Sequence, residues 1–289
     1  MPLVANVDRA ATYFLHRTPR PPLDAFIASI WVCRDSRSYA LERVLPTGAA
    51  QLIVNLKDDC TRLYEPERPH RCVATAGTIL AGVRSRYQII DTSEQEYVAG
   101  VAFKPGGTAA FFRTPADETS ETNAPLELLC GRQRAAELRE RLLEHSDPET
   151  QLDVIENALK AMWQPGNVHP AIVHALGVFN HAPRTASVGT VTAAIGLSAK
   201  RFIEQFKAQV GVSPKRYCRI RRFQHALARA HRGHPIDWPQ LALDCGYYDQ
   251  AHFIHEFRSF SGLTPTGYQA CRTAFQNHVK FLQSDLDDL

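Results

Sequence analysis

Basic side chains concentrate in one short stretch of the chain, where Lys215, Arg216, Arg219, Arg221 and Arg222 fall within eight positions. Cationic side chains at this density suit contact with phosphate groups, and a solvated helix face is the plain alternative. From position 184 onward the chain has 14 Lys and Arg against 8 Asp and Glu, whereas the preceding part has 19 against 22. The positive charge is therefore segregated, as expected of one domain that meets a polyanion.

Histidines are the residues that would hold a metal ion, and their spacing argues against one. A metal-dependent barrel enzyme needs two or three histidines and a carboxylate, but the β-rich part of the chain has only His16 and His70. Two pairs have i, i+3 spacing: His231 with His234, and His252 with His255. Pro235 interrupts helical geometry next to the first pair, and the second pair lies on the polar face of a predicted helix that begins after Asp249. We expect no metal site, no cofactor and no catalysis.

Cysteine chemistry is the second alternative. The seven cysteines are scattered, odd in number and without a Cys-x-x-Cys pair. This usage argues against a disulfide scaffold and a zinc ribbon, and buried thiols are the default interpretation. A redox- or damage-sensing regulator that uses Cys33, Cys60 or Cys72 stays open, because spacing does not define proximity in a fold.

A sixteen-residue pattern occurs twice. Residues 202–217 return 51 positions later as residues 253–268, with Phe, Ile, Phe, Gly, Pro and Tyr at identical places. The apolar positions recur at helical spacing, and Gly followed by Pro then ends the helix and starts another. Each copy therefore predicts a helix, a stop and the start of a second helix.

Each copy and the residues that precede it predict a helix-turn-helix unit, in which a capping residue marks the start of the second helix. In the first unit, residues 190–195 form the supporting helix and Ser198 caps a second helix that runs to about Val210. In the second unit, residues 238–245 form the supporting helix and Asp249 caps a second helix that runs to about Ser261. Ser and Asp favour this position because their oxygens accept hydrogen bonds from free backbone N–H groups.

The run from Ala242, Ala-Leu-Asp-Cys-Gly-Tyr-Tyr-Asp-Gln-Ala-His-Phe-Ile-His-Glu-Phe-Arg, closely resembles the second half of the AraC/XylS-type DNA-binding domain. Gly-Leu-Thr-Pro from Gly262 and Tyr268 continue the likeness, and Gly-Val-Ser-Pro-Lys-Arg-Tyr from Gly211 is similar to the linker helix of that family. The resemblance covers about residues 188–272. It implies a transcription regulator whose two units reach adjacent major grooves.

Three positions depart from the family pattern: Thr192, Glu204 and His255, of which the last two stand where Arg is frequent. Base preference cannot be transferred for that reason. The predicted DNA-binding residues lie on the recognition helices and the linker helix. They are Ala199, Lys200, Arg201, Glu204, Lys207, Lys215, Arg216, Arg219, Arg222, Gln250, Ala251, His252, His255 and Arg258.

The N-terminal half predicts a β-rich domain. Stretches 25–32, 51–56, 87–90 and 97–103 are rich in β-branched and aromatic residues and are separated by polar segments. Arg-Val-Leu-Pro-Thr-Gly from Arg43 and Gly-Val-Ala-Phe-Lys-Pro-Gly-Gly from Gly100 resemble the domain that senses small molecules or mediates dimerisation in one branch of the family. Trp31 and Phe103 are the candidate effector-binding residues, and core packing is the alternative for both.

Leucines at helical spacing follow from position 126, and Asp147 before Pro148 predicts a capped helix. The predicted fold class is α+β. A β-rich, barrel- or sandwich-like sensor or dimerisation domain with trailing helices spans residues 1–163. A linker spans 164–169, and an all-α domain spans 170–272, with its units at about 190–210 and 238–261 joined by a linker helix. A tail spans 273–289.

The expected function is sequence-specific regulation of transcription, as an activator or a repressor. Double-stranded DNA is the expected partner. RNA polymerase, a small-molecule effector and a second copy of the chain are further candidates. No basic stretch followed by an apolar core opens the chain and no apolar run reaches the ~18 residues of a membrane span, so we expect a cytoplasmic protein without a membrane partner.

Overall fold

A computed structural model describes residues 12–181, 188–232 and 236–282. Strands occupy the N-terminal half and helices most of the remainder, which confirms the predicted α+β fold class. The strands are β1 (Tyr13–Arg17), β2 (Ile27–Arg34), β3 (Leu41–Val44), β4 (Gln51–Asn55), β5 (Cys60–Glu65), β6 (Arg68–Ala76), β7 (Thr78–Ala81), β8 (Gln88–Asp91), β9 (Tyr97–Phe103), β10 (Asn123–Pro125) and β11 (His278–Lys280). Within the described ranges, no helix is long and apolar enough to cross a membrane.

The strands form two antiparallel sheets rather than one closed barrel. Sheet A has the order β1-β2-β9-β4-β7-β10 and sheet B the order β11-β3-β8-β5-β6. In sheet A, Trp31 of β2 lies opposite Gly100 of β9. A Cβ atom on Gly100 would lie 2.5 Å from the Trp31 ring, so glycine at this position makes room for the indole.

The helices are α1 (Leu126–Cys130), α2 (Arg132–Leu143), α3 (Pro148–Met162), α4 (Pro170–His181), α5 (Val188–Ala194), α6 (Ala199–Val210), α7 (Pro214–Arg232), α8 (Trp238–Asp244), α9 (Gln250–Ser261) and α10 (Pro265–Cys271). The predicted cap of α3 is confirmed, since Oδ2 of Asp147 accepts a 2.8 Å hydrogen bond from the backbone N–H of Thr150. Helix α4 follows directly after the residues predicted as a linker, 164–169. The predicted caps also placed the starts of α6 and α9 correctly.

Two hydrophobic clusters hold the molecule together. The first joins the interior of sheet A, including Phe103, to α3, α4 and the aromatic side chains Phe202, Phe206 and Tyr217. The second lies among α7, α8, α9 and α10 and is built around Phe253 and Phe257. The first helix-turn-helix unit therefore shares a core with the N-terminal half, whereas the second has a core mainly of its own.

The C-terminal segment returns to the N-terminal half. β11 pairs antiparallel with β3, so that His278 lies opposite Val44 and Lys280 opposite Glu42. Val279 is fully buried and Phe281 nearly so. Part of the segment that the sequence suggested as a tail, 273–289, is thus the edge strand of sheet B, and residues 283–289 lie outside the described ranges.

Candidate nucleic-acid interface

The first helix-turn-helix unit has its predicted geometry. Gly196, with φ +70°, ends the turn after α5, and the Ser198 hydroxyl accepts a 3.3 Å hydrogen bond from the backbone N–H of Arg201. Phe202 and Phe206 are fully buried. The predicted contact residues of this helix are all exposed: Ala199, Lys200, Arg201, Glu204 and Lys207. Burial of the phenylalanine stripe thus turns the polar face of α6 outward.

The second unit repeats this arrangement with one difference. Oδ1 of Asp249 accepts a 2.7 Å hydrogen bond from the backbone N–H of His252 and caps α9. The His252 ring meets the edge of the Tyr247 ring at 5.6 Å between centroids and is half-buried. The other predicted contact residues of α9 are exposed: Gln250, Ala251, His255 and Arg258. Tyr247 therefore holds the His252 side chain against the turn.

The linker helix α7 is held to the second unit by its arginines. Nε of Arg219 donates a 2.9 Å hydrogen bond to Oε2 of Glu256 on α9, and a second guanidinium nitrogen bonds Oε1. Nη1 of Arg222 donates to the carbonyl of Gly246 at 3.2 Å, and its guanidinium lies 5.5 Å from the centre of the Tyr247 ring. These two predicted phosphate contacts are thus engaged inside the protein. Lys215 is exposed and Arg216 is half-buried.

The Arg219–Glu256 pair gives the second unit a pH-dependent contribution to stability. Burial disfavours the charged carboxylate, but the hydrogen bonds and charge of Arg219 outweigh it and hold the pKa of Glu256 below its ordinary value. A lowered folded-state pKa stabilises the protein above the pKa of the unfolded chain, about 4.3, and this stabilisation is lost as pH falls further. The pair therefore supports the fold at neutral pH and not in acid.

Arg219→Ala should lower the free energy of unfolding at pH 7 by about 2–3 kcal/mol, because Glu256 would stay buried without its partner. The loss should shrink below about pH 4, where the carboxyl group is protonated. Urea unfolding at pH 7 and in acid measures both effects. Arg229→Ala is the matched control: Arg229 bonds Asp244 at 2.7 Å but is half exposed, so about 0.5 kcal/mol is expected. Equal losses for both variants would contradict this account.

Both units also touch the N-terminal half. The backbone N–H of Ala116 donates to the carbonyl of Ala208 near the end of α6 at 2.7 Å. The backbone N–H of Tyr87 donates to the carbonyl of Phe260 near the end of α9 at 2.9 Å. Each recognition helix is therefore anchored near its C-terminal end, which leaves the exposed side chains at its N-terminal end outside these contacts.

A cavity of about 560 Å³ lies between the two sheets. Its lining includes Trp31, Ile53 and Ile79, with the polar side chains of Arg84 and Gln88. Of the two predicted effector residues, Trp31 lines this cavity. Phe103 does not; it packs against Phe111 and Phe112 in the core. The sequence could not separate these roles because β9 is apolar on both faces and shows no alternation.

The remaining chemistry-bearing residues are placed as follows. Burial raises the pKa of the thiols of Cys33 and Cys218 to about 11, which disfavours the reactive thiolate. Nδ1 of His231 lies 3.0 Å from the hydroxyl of Tyr268, and His234 is outside the described ranges. Among the residues that the structure describes, no three of His, Cys, Asp and Glu are grouped to hold a metal ion.

Comparisons with known proteins agree with this geometry. Residues 191–270 match a family described as a helix-turn-helix domain, and residues 15–125 match a domain of unknown function, DUF6597. Over 90 residues the chain is 32% identical to the probable transcriptional regulator LumQ of Photobacterium leiognathi. That match covers 31% of this chain and spans about a third, 36%, of the relative's length.

Two solved structures show similarity at low identity. Wild-type ToxT from Vibrio cholerae, bound to an unsaturated fatty acid, is 11% identical with a TM-score of 0.43, over 88% of this chain and 94% of that one. The xylose-binding transcription activator xylR is 21% identical with a TM-score of 0.32, over 47% and 37%. The match over residues 191–270 confirms that the C-terminal region is a helix-turn-helix domain, as the sequence predicted.

Proposed function

We propose that the chain is a sequence-specific DNA-binding transcription regulator. The observation that carries this proposal is the pair of capped helices α6 and α9, each of which buries a phenylalanine stripe and exposes polar side chains near its N-terminus. Helices of this kind enter the major groove, and α7 between them supplies the exposed Lys215 for phosphate. No catalytic activity is proposed.

The DNA contacts that we propose differ from the sequence prediction, because some of the predicted residues are engaged inside the protein. Lys200, Arg201, Lys207, Lys215 and Arg258 are exposed and have room to meet phosphate. Arg219 and Arg222 orient the second unit through contacts inside the protein. The exposed side chains at the start of α6 and α9, Gln250 above all, are the candidates for reading bases. The other predicted contacts, Arg216 and His252, stay predictions.

We also propose that the cavity between the sheets holds a small-molecule effector, with Trp31 in its wall. Its volume suits a drug-sized ligand, and apolar walls with a few polar side chains are typical of such sites. The domain limits 1–163 and 170–272, contact with RNA polymerase, dimerisation and a cytoplasmic location stay predictions. The cysteine-based alternative stays a prediction: burial raises the pKa of the Cys33 thiol, whereas Cys60 is half-buried and Cys72 is exposed.

Fluorescence anisotropy on duplexes selected from genomic DNA tests this proposal. If the five exposed cations meet phosphate, log affinity should fall against log salt concentration with a slope of about −4 to −5, near −0.9 per contact. A metabolite library added to the same titrations should contain compounds that shift the affinity. A scrambled duplex is the control. Equal affinity for selected and scrambled DNA would refute sequence-specific binding, and a flat salt dependence would refute the proposed phosphate contacts.

A further inference from the structure

Residues 273–281 form a strap that joins the DNA-binding region to sheet B. The strap leaves α10 and enters β11, which covers an edge of β3 that would otherwise be unpaired. The backbone N–H of Leu45 donates to the carbonyl of Asn277 at 2.8 Å, and that of Phe281 donates to Leu41 at 3.0 Å. The pairing is short and lies at the rim of the sheet, so it can open without breaking the rest of sheet B.

A polar cluster around Glu42 holds the strap. The Glu42 side chain has no exposed surface, yet it bonds Nδ1 of His278 at 2.8 Å and accepts a 2.7 Å hydrogen bond from the hydroxyl of Tyr39. The guanidinium of Arg37 bonds the same carboxylate and lies 5.9 Å from the centre of the Phe275 ring. A buried carboxylate whose partners come from both the strap and the N-terminal half ties the two together.

The same strap forms a wall of the effector cavity. Residues 274–278 all line it, opposite Trp31 and Ile53 of sheet A. The Phe275 ring packs against the Phe14 ring of β1 with centroids 5.5 Å apart, which bridges the cavity from the strap to the far edge of sheet A. A ligand in this cavity would therefore touch the strap itself.

The Gln224 side chain connects the strap and the cavity to the linker helix. Nε2 of Gln224 on α7 donates to the carbonyl of Pro46 and to Oδ1 of Asn277, both at 2.8 Å. Its Oε1 accepts a 3.1 Å hydrogen bond from Nε2 of Gln276. Pro46, Gln276 and Asn277 all line the cavity. Gln224 is thus one place where the cavity wall meets the linker helix, besides His231 and Arg232 of α7, which line the cavity themselves.

We propose that residues 273–281 are a regulatory latch. Release of β11 from β3 opens the cavity wall and speeds exchange of a ligand in the cavity, and the state of the latch reaches α7 through contacts that include those of Gln224. The closed latch adds contacts between the linker helix and the N-terminal half to those of the shared core, and the open latch removes these added contacts. The latch deepens the proposed function, because it states how occupancy of the effector cavity would reach the DNA-binding units.

A reversible crosslink tests ligand exchange. Val44→Cys with His278→Cys places two thiols at directly opposed positions of β3 and β11, both on the cavity. The fluorescent probe 1-anilinonaphthalene-8-sulfonate should exchange at least tenfold more slowly in the oxidised protein, and reduction should restore the rate. Ala76→Cys, opposite the native Cys60, is the control crosslink in the same sheet but away from the cavity lining. Equal exchange in oxidised and reduced V44C/H278C protein would overturn the latch.

Amide hydrogen exchange of the unmodified chain tests the latch without any ligand. The backbone N–H groups of Leu45 and Phe281, which bond across β3 and β11, should exchange at least about 100-fold faster than those between β4 and β9. Exchange of all these groups at one common rate would mean that the strap opens only on global unfolding. That result would overturn the proposal even if the probe fails to bind.

DNA affinity tests the coupling separately. Oxidised and reduced V44C/H278C protein should differ at least threefold in affinity for a selected duplex, and the additional substitution Gln224→Ala should reduce this difference. Gln133→Ala on α2, an exposed glutamine, is the control. Equal affinities in both redox states would overturn the coupling. If no variant and no parent binds DNA at any salt concentration, the proposed function fails, and amide exchange alone decides on the latch.

Discussion

Replacement of Gln250 and His255 together by alanine is expected to abolish sequence preference in one half of the binding site. Both side chains are exposed near the start of α9, whereas the neighbouring His252 packs on Tyr247. Glutamine can read adenine through paired hydrogen bonds to N6 and N7, worth about 1–3 kcal/mol, and His255 can contact guanine or phosphate. Discrimination at those base pairs should therefore fall about tenfold to 100-fold.

Anisotropy titrations against duplexes with single base-pair changes measure this loss. Nonspecific affinity and its salt slope should hardly change, because neither substitution removes a cation that is permanently charged. Gln133→Ala with His174→Ala removes the same side-chain types from exposed positions on α2 and α4 and is the matched control. If the α9 double variant keeps the parent's selectivity at every base pair, the second unit is a structural brace and α6 carries recognition alone.

The helix-turn-helix units could be predicted because their signals are local. A capping oxygen acts on N–H groups two or three residues away, so Ser198 and Asp249 determine where α6 and α9 begin whatever the rest of the chain does. The buried stripe follows from the 3.6-residue period in the same way. Local chemistry of this kind is visible in a single sequence.

The roles of the linker arginines could not be predicted, because they depend on contacts between distant residues. Arg219 and Glu256 are 37 positions apart and meet only once the second unit has packed on α7. The sequence places Glu256 on the second recognition helix, but no spacing rule links an acidic residue there to an arginine on another helix. From the cluster of cations alone, the sequence predicts phosphate contact both for Lys215, which is exposed, and for Arg219, which bonds Glu256 inside the protein.

The C-terminal strand β11 could not be predicted from the sequence, for a related reason. β11 has only three residues, too few for a β pattern, and its partner β3 lies more than 230 positions earlier. Val279, its buried residue, does not indicate with which strand it pairs. The cavity wall that this strand supplies was consequently missed, and of the two predicted effector residues only Trp31 lines the cavity.

Loss of one phenylalanine ring from each of the two aromatic clusters is expected to destabilise different parts of the molecule. Phe206→Ala and Phe257→Ala each remove a fully buried phenylalanine and should each cost about 3–5 kcal/mol. Phe206 contacts Phe179 and Tyr217 in the cluster that continues into sheet A. Phe257 contacts Phe223 and Tyr268 in the separate cluster of the second unit.

Hydrogen exchange read by mass spectrometry separates the two outcomes. Phe206→Ala should accelerate exchange in α6 and in β2 and β9 together, because one core serves them all. Phe257→Ala should accelerate exchange mainly in α8–α10 and leave β9 near the parent rate. Phenylalanine-to-leucine variants at both positions keep most of the volume and should show the same patterns with smaller amplitude. Identical exchange patterns for the two alanine variants would mean that one cooperative core spans the chain. Separate patterns would mean that the second unit can loosen while the first stays folded, so that Phe257→Ala would lose contacts in one half of the DNA site and keep the other.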